Sequence, residues 1–195
     1  MFVTFEGIDG SGKSTQALLL AEALRADGRE VVLTREPGGT PLGEQVRELL
    51  LHGDHVSAWA EAALYAASRA QHVAEVIRPA LARGATVICD RYLDSSVAYQ
   101  GAGRGLGVEA VRTLNLAVTG GLLPDRTFLI EIDGATATAR VGETRDRIER
   151  DGAALWDRVA AAYREFAAAE PDRFVRVDGC RPAEAVAAEI RGFCG

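Results

Sequence analysis

The chain has 195 residues, 48% of them hydrophobic, with 28 acidic against 22 basic side chains for a net charge of −6. That length fits one domain and the apolar content fills a core, so a disordered chain is excluded. The negative balance argues against a protein that works by gripping nucleic-acid backbone, while leaving room for a local basic pocket that takes a small phosphate compound.

Residues 2–5, "FVTF", form the first β-rich run, and from Ser14 the pattern turns helical, with Ala17, Leu18, Leu20, Ala21 and Leu24 at three- and four-residue spacing until Asp27-Gly28 stops it. "VVLT" at 31–34 is a second strand. The loop "REPGGTP" at 35–41 holds too many Pro and Gly for regular structure. Residues 42–51 read as a helix and 57–83 as a long one that Pro79 kinks or divides. "TVIC" at 86–89 is the third strand, ending at Asp90. The Gly-rich end of "RYLDSSVAYQGAGRGLG" is expected to be loop, followed by a helix over about 108–119. "TFLIEI" at 127–132 is the fourth strand, a polar Arg-rich stretch covers 140–150, a helix spans about 152–169, and "FVRV" at 174–177 is the fifth strand before a last helix. Strands alternating with helices predict an α/β fold, a parallel sheet with helices on both faces.

Cys89, Cys180 and Cys194 are far apart and form no metal-ligand or disulfide pattern. The chain starts directly in an apolar strand without a charged leader, and charge interrupts every longer apolar run, so a cytoplasmic protein with no membrane partner is expected. All basic residues but one are Arg, which composition alone explains; the exception is Lys13. A position that keeps Lys against that background needs a compact ammonium rather than a planar guanidinium.

In open parallel sheets ligands collect beyond the C-terminal strand ends. Gly7 to Ser14, Arg35, Asp90-Arg91, Asp133 and Asp178-Gly179 all follow predicted strands, which points to one site. "GIDGSGKS" at 7–14 fits G-x-x-x-x-G-K-[ST] between a strand and a helix, the context in which that spacing is a phosphate cradle. Gly7, Gly10 and Gly12 let successive N–H groups converge on phosphate oxygens at a helix N-terminus. Lys13 would reach the β- and γ-phosphates and Ser14 would ligate Mg²⁺. A guanine-reading NKxD and a DxxG after the third strand are both missing, which disfavours a GTP switch. An enzyme passing phosphate to a second anion needs further guanidinium groups opposite the cradle, and Arg35, Arg69 and Arg91 are the candidates.

Five segments, "FEGIDGSGKST" at 5–15, "TREPGGTPLGEQVR" at 34–47, "YAASRAQH" at 65–72, "DRYLDSSVAYQGAGRG" at 90–105 and "RDRIE" at 145–149, resemble the bacterial thymidylate kinase family, in order and over most of the chain. The resemblance implies a single P-loop nucleoside monophosphate kinase-like domain over 1–195, a five-stranded parallel sheet with a short mobile lid at about 140–150. It implies transfer of phosphate from ATP to dTMP with Mg²⁺, and a homodimer.

By the same resemblance, residues 7–15, that is Gly7, Ile8, Asp9, Gly10, Ser11, Gly12, Lys13, Ser14 and Thr15, hold ATP. Arg91 holds the dTMP phosphate, Asp90 orders Mg²⁺ water with Ser14 as metal ligand, and Asp9 meets the sugar 3′-hydroxyl and orients Arg91. Arg69 reads thymine, Tyr65 packs on it, Ser96 contacts the base, Tyr99 crowds a ribose 2′-hydroxyl, and Arg35 and Gln100 complete the acceptor side. Without the resemblance Tyr65 and Tyr99 read as core packing.

Arg140, Arg145 and Arg147 would be the lid cations, Arg145 the catalytic choice and Arg140 on the ATP side; the segment between Asp133 and Asp146 is a couple of residues shorter than the family pattern. Adenine would lie near Gly179-Cys180-Arg181. Apolar residues on more than one face of 57–83, Trp59 among them, suggest a twofold interface. His52, His55 and His72 receive no role. A kinase for another nucleotide or for a nucleoside, and a nucleotide-binding regulator without catalysis, remain alternatives.

Overall fold

The computed structural model describes residues 1–141, 147 and 153–194. Strands β1 (Phe2–Glu6), β2 (Val31–Arg35), β3 (Thr86–Asp90), β4 (Arg126–Glu131) and β5 (Phe174–Asp178) form one parallel sheet in the order β2-β3-β1-β4-β5. Helices α1 (Lys13–Ala26), α2 (Pro41–His52), α3 (Ala58–His72), α4 (Arg78–Ala82), α5 (Leu93–Ser96), α6 (Val108–Thr119), α7 (Gly134–Val141), α8 (Ala153–Ala169) and α9 (Ala183–Gly192) connect them.

Strand alternation divides the core in two. Val3, Phe5, Ile88, Phe128 and Ile130 face α1 and α9 on one side, where Ala17, Leu20, Ala21 and Leu24 form the buried stripe of α1. Phe2, Val87, Cys89 and Leu129 face the other helices, including α6 and α8. A buried leucine such as Leu24, 1% exposed, contributes about 2 kcal/mol through removal of its apolar area from water.

Every predicted strand is present within one residue. α2 begins where Thr40 caps it, its hydroxyl accepting the Gly43 N–H at 3.0 Å, with Pro41 in the first turn. The long helix is divided as expected, but ahead of Pro79: a π-helical turn, Val73–Ile77, joins α3 to α4. Pro79 has no N–H and its ring crowds the carbonyl of Glu75, within that turn, so the wider turn accommodates it.

The expectation of a Gly-rich loop after β3 is corrected. Helix α5 continues as a π-helical run, Val97–Gly103, and only the residues after it turn out of helix. A Cβ on Gly101 would approach the Val108 Cα at 3.1 Å, and one on Gly103 the Leu155 Cδ1 at 2.6 Å. These glycines admit neighbouring helices; they do not loosen the chain. α7, which no sequence pattern announced, starts where Asp133 accepts the Thr136 N–H at 2.7 Å.

Candidate active site

The loop after β1 is shaped by its glycines. Gly7 has φ 139°, and a Cβ there would stand 2.4 Å from the Ile130 carbonyl oxygen of the adjacent strand, so only glycine permits this exit from β1. Gly12, at φ 97°, is the N-cap of α1, and neither a capping side chain nor an acidic residue occupies the first turn. The N–H groups there and the positive end of the helix dipole are thus left to an anion.

Lys13, 6% exposed, lies back against this loop, its Nζ donating to the Ile8 carbonyl at 2.7 Å and to Ser11 Oγ at 3.3 Å. Burial, and after it the like charge of Arg91, pulls its pKa down to about 8. An anion placed beside it would offset both effects by its opposite charge and favour the protonated amine.

Asp90 ends β3 beside the cradle. Its Oδ2 accepts the Ser14 hydroxyl hydrogen, while its Oδ1 is buried without a hydrogen-bond partner among the described residues. A hydroxyl beside a carboxylate with an unsatisfied buried oxygen is a hard-oxygen donor set, the kind Mg²⁺ takes together with substrate phosphates.

Arg91 is held in an unusual backbone conformation, φ 68°, rare for a residue with a Cβ. Its N–H donates to the Phe5 carbonyl at 3.0 Å, and its carbonyl accepts the Cys89 thiol hydrogen at 3.0 Å. Nη1 donates to the Gly7 carbonyl and to Ser95 Oγ, each at 3.1 Å, and Nη2 pairs with Asp9 Oδ1. The guanidinium lies 5.2 Å from the centre of the Tyr99 ring, whose hydroxyl donates to Asp9 Oδ2 at 3.0 Å. Burial alone would raise the Asp9 carboxyl, but the charges of Arg91 and Lys13 outweigh it and hold it below its usual range. The cost of the positive φ, about 1–3 kcal/mol, is borne by these anchors, the pattern of a side chain aimed for function.

Lys13, Ser14 and Thr15 line the same cleft as Tyr65, Arg69, Ser96, Tyr99 and Gln100, a cavity of about 980 Å³ at the C-terminal edge of the sheet. The phosphate cradle and Arg69 thus open onto one cleft.

Some expected positions behave differently. Gly7 and Ile8 contribute carbonyls to Arg91 and Lys13, and the Ile8 side chain packs into the core. Asp133 and Asp178 turn to their own loops, Asp178 Oδ1 accepting the Cys180 N–H at 2.9 Å. Gly179 and Arg181 line the cleft, whereas the Cys180 thiol points to Asp133 at 3.9 Å. Arg35 sits at the rim, its side chain 55% exposed and paired with Glu44 at 3.0 Å.

Of the arginines expected in a lid, Arg140 donates to the Gly10 and Gly179 carbonyls at 3.4 and 3.2 Å, on the cradle side. Arg147 donates to the Leu50 carbonyl at 2.8 Å and to Glu61 Oε2 at 2.7 Å, on the opposite side. Arg145 lies outside the described residues.

Several site residues carried no signal in the sequence. Glu61 is 1% exposed and gathers Arg104, Arg147 and the Gln100 amide. Glu6 accepts the Tyr92 N–H, the Ser95 hydroxyl and the Tyr163 hydroxyl at 2.8, 2.6 and 2.7 Å, and burial, followed by the nearby Asp94 charge, pushes it up to about 7. Its one available clue is alternation: Thr4 and Glu6 share a face of β1 otherwise expected to be apolar.

Comparison with known proteins accords with this geometry. The family model described as thymidylate kinase matches residues 5–190. A thymidylate kinase from Leifsonia xyli subsp. xyli is 57% identical, over 98% of this chain and 92% of its own length. One from Clavibacter sepedonicus is 54% identical over the same shares of the two chains. The crystal structure of thymidylate kinase from Ehrlichia chaffeensis superposes with a TM-score of 0.84 at 36% identity, covering 100% of this chain and 97% of that one. Among the described residues no helix is long and apolar enough to cross a membrane.

Proposed function

We propose how a chain that belongs to the thymidylate kinase family, as this one does, divides the transfer of the ATP γ-phosphate to dTMP among its residues. The observation that carries the reading is Arg91, an acceptor-side guanidinium bound to both Gly7 and Asp9 of the phosphate cradle. A protein that only bound a triphosphate has no use for a second cation fixed at that point.

The α1 N-terminus and Lys13 hold the β- and γ-phosphates, while Arg91 holds the dTMP phosphate. The acceptor needs no general base, because a phosphate monoester with a second pKa near 6 is already dianionic at neutral pH. One of its oxygens bonds to the γ-phosphorus as the bond to the β,γ-bridging oxygen breaks, and that electron pair stays on ADP. Catalysis is then positioning plus neutralisation of charge. Ser14 and Asp90 would hold Mg²⁺, which supplies charge to the phosphate oxygens when bound. Asp9 meets the sugar 3′-hydroxyl and orients Arg91. Tyr99 crowds a 2′-hydroxyl, Tyr65 packs on the base, and Arg69 and Ser96 read it, with Gln100 and Arg35 farther along that side.

Residues 140–150 act as a lid on this single domain, a reading supported by Arg140 and Arg147 meeting opposite sides of the cleft. Arg145 is the lid cation assigned to the transferred phosphate; Arg145→Ala should lower kcat more than it raises either KM. Trp59, exposed on α3, and the exposed Leu42 and Leu49 on α2 support a homodimer, and soluble nucleotide substrates support a cytoplasmic setting.

The test is ADP release with dTMP, dUMP, dCMP, UMP and thymidine as acceptors. Transfer to dTMP should exceed the others. Turnover of thymidine above dTMP would leave Arg91 without a phosphate to hold and overturn the assignment.

A further inference from the structure

Arg69 is 1% exposed although it lines the cleft. A guanidinium has five N–H donors. Four are committed: Nε to Glu36 Oε2 at 2.7 Å, Nη1 to Ser96 Oγ at 3.0 Å and to Asn115 Oδ1, and Nη2 to the Tyr92 carbonyl at 3.0 Å. The second Nη2 hydrogen is what remains for a ligand.

Behind Glu36 stands His72, wholly buried. Glu36 Oε1 lies 2.9 Å from His72 Nδ1, and His72 Nε2 lies 2.7 Å from Thr34 Oγ1. A carboxylate only accepts, so Nδ1 carries the hydrogen toward Glu36, and Nε2 shares a hydrogen bond with the Thr34 hydroxyl. The loop closes on this arrangement: a Cβ on Gly39 would stand 2.7 Å from both His72 Nε2 and Thr34 Oγ1.

Glu36, His72 and Cys89 also bring three metal-ligand types within 4.8 Å of one another. Their ligand atoms are already engaged, however, and burial, with the Glu36 charge next, keeps the Cys89 thiol protonated and donating to the Arg91 carbonyl. The cluster is a hydrogen-bond relay.

We propose that Glu36 and His72 are positioning residues that fix, through Arg69, the one uncommitted guanidinium N–H, and so set the preference for an acceptor base presenting a carbonyl oxygen over one presenting an amino group. The inference rests on the proposed dTMP kinase activity. The relay runs from Thr34 at the end of β2 through His72 on α3 to Glu36, which also lines the cleft. Without it Arg69 keeps its charge and loses its aim.

The experiment uses the full chain with dTMP and 5-methyl-dCMP, which carry the same ring methyl and differ in a carbonyl oxygen against an amino group at C4, with the change at N3 that goes with it. The variants are Glu36→Gln, His72→Leu and His72→Asn, whose amide nitrogen can stand where Nδ1 stood. Glu36→Gln and His72→Leu should raise KM for dTMP about tenfold, the cost of misplacing one charge-assisted hydrogen bond, with kcat and KM for ATP changed less than about threefold. The ratio of kcat/KM for dTMP to that for 5-methyl-dCMP should narrow in both, and His72→Asn should recover most of it, which a role in packing alone would not produce.

Wild-type KM and preference in Glu36→Gln and His72→Leu overturn the inference, as does His72→Asn matching His72→Leu. If His72→Leu does not fold, Glu36→Gln, which keeps the side-chain shape, decides by the same KM criterion. Wild-type protein that fails to phosphorylate dTMP overturns the functional reading itself, an outcome the variants do not mimic.

Discussion

Replacing Arg91 separates the cost of its backbone from the value of its side chain. Arg91→Ala and Arg91→Gly both delete the guanidinium, and with it the contacts to Gly7, Ser95 and Asp9. Only Arg91→Ala keeps a Cβ at φ 68°. A left-handed conformation costs a non-glycine residue about 1–2 kcal/mol, and glycine loses about 0.5–1 kcal/mol more than alanine in chain entropy on folding. Arg91→Gly should therefore be more stable than Arg91→Ala by about 0.5–1 kcal/mol, or about 1–4 °C in Tm for a chain of this size. In an ADP-release assay both variants should lose about 10²–10³ in kcat/KM for dTMP, as expected for removing a preorganised cation from a phosphate, with KM for ATP little changed. An Arg91→Gly protein less stable than Arg91→Ala would refute the strain argument. A loss in kcat/KM below about tenfold in either would refute the acceptor role.

Lys13→Arg preserves charge but puts a planar fork into a loop that wraps an ammonium at 2.7 Å; it should lower kcat by about 10²–10³, and near-normal turnover would make the lone lysine an accident of composition. Asp90→Asn weakens the oxygen pair with Ser14 and should raise the Mg²⁺ concentration needed for half-maximal rate, read by Mg²⁺ titration at fixed ATP. Tyr99→Phe removes the 3.0 Å hydrogen bond to Asp9 and should raise KM for dTMP about five- to tenfold, with a Michaelis plot as the check. Glu6 has its folded pKa raised from 4.5 to about 7, so the folded state holds its proton more tightly than the unfolded chain does. The stabilisation from that proton, about 3 kcal/mol, is full below pH 4.5 and lost as pH rises through 7. Tm profiles should show this fall between pH 5 and 8 in the wild type and its absence in Glu6→Gln.

The parts of the fold legible in the sequence are those where chain chemistry is local. "FVTFEGIDGSGKST" contains its own strand, turn and helix start, and Lys13, Ser14 and Asp9 are found where that order puts them. Asp90-Arg91 is legible because an acid and a base directly follow an apolar strand. Where tertiary packing decides, the reading fails. Gly101 and Gly103 look like loop residues, yet their missing side chains admit Val108 and Leu155 against a helix. His72, Glu36, Asn115 and Glu61 look like surface polar residues because no periodicity separates a buried hydrogen-bonded group from a solvated one. Their partners lie tens of residues away in sequence, so only the assembled fold brings Arg69 to Glu36 and Asn115. Asp133 follows β4 and Asp178 ends β5, as the sequence pattern predicts, yet both serve their own turns.

In the proposed mechanism one cleft holds a donor triphosphate and an acceptor monophosphate in line, with Lys13 on one and Arg91 on the other. A crystal structure with dTMP and a non-hydrolysable ATP analogue bound tests it directly. The acceptor phosphate is expected on the Arg91 guanidinium, facing the γ-phosphate held by Lys13, with the thymine carbonyl edge toward Arg69. A dTMP phosphate bound away from Arg91, or an analogue whose γ-phosphate does not contact Lys13, would contradict it.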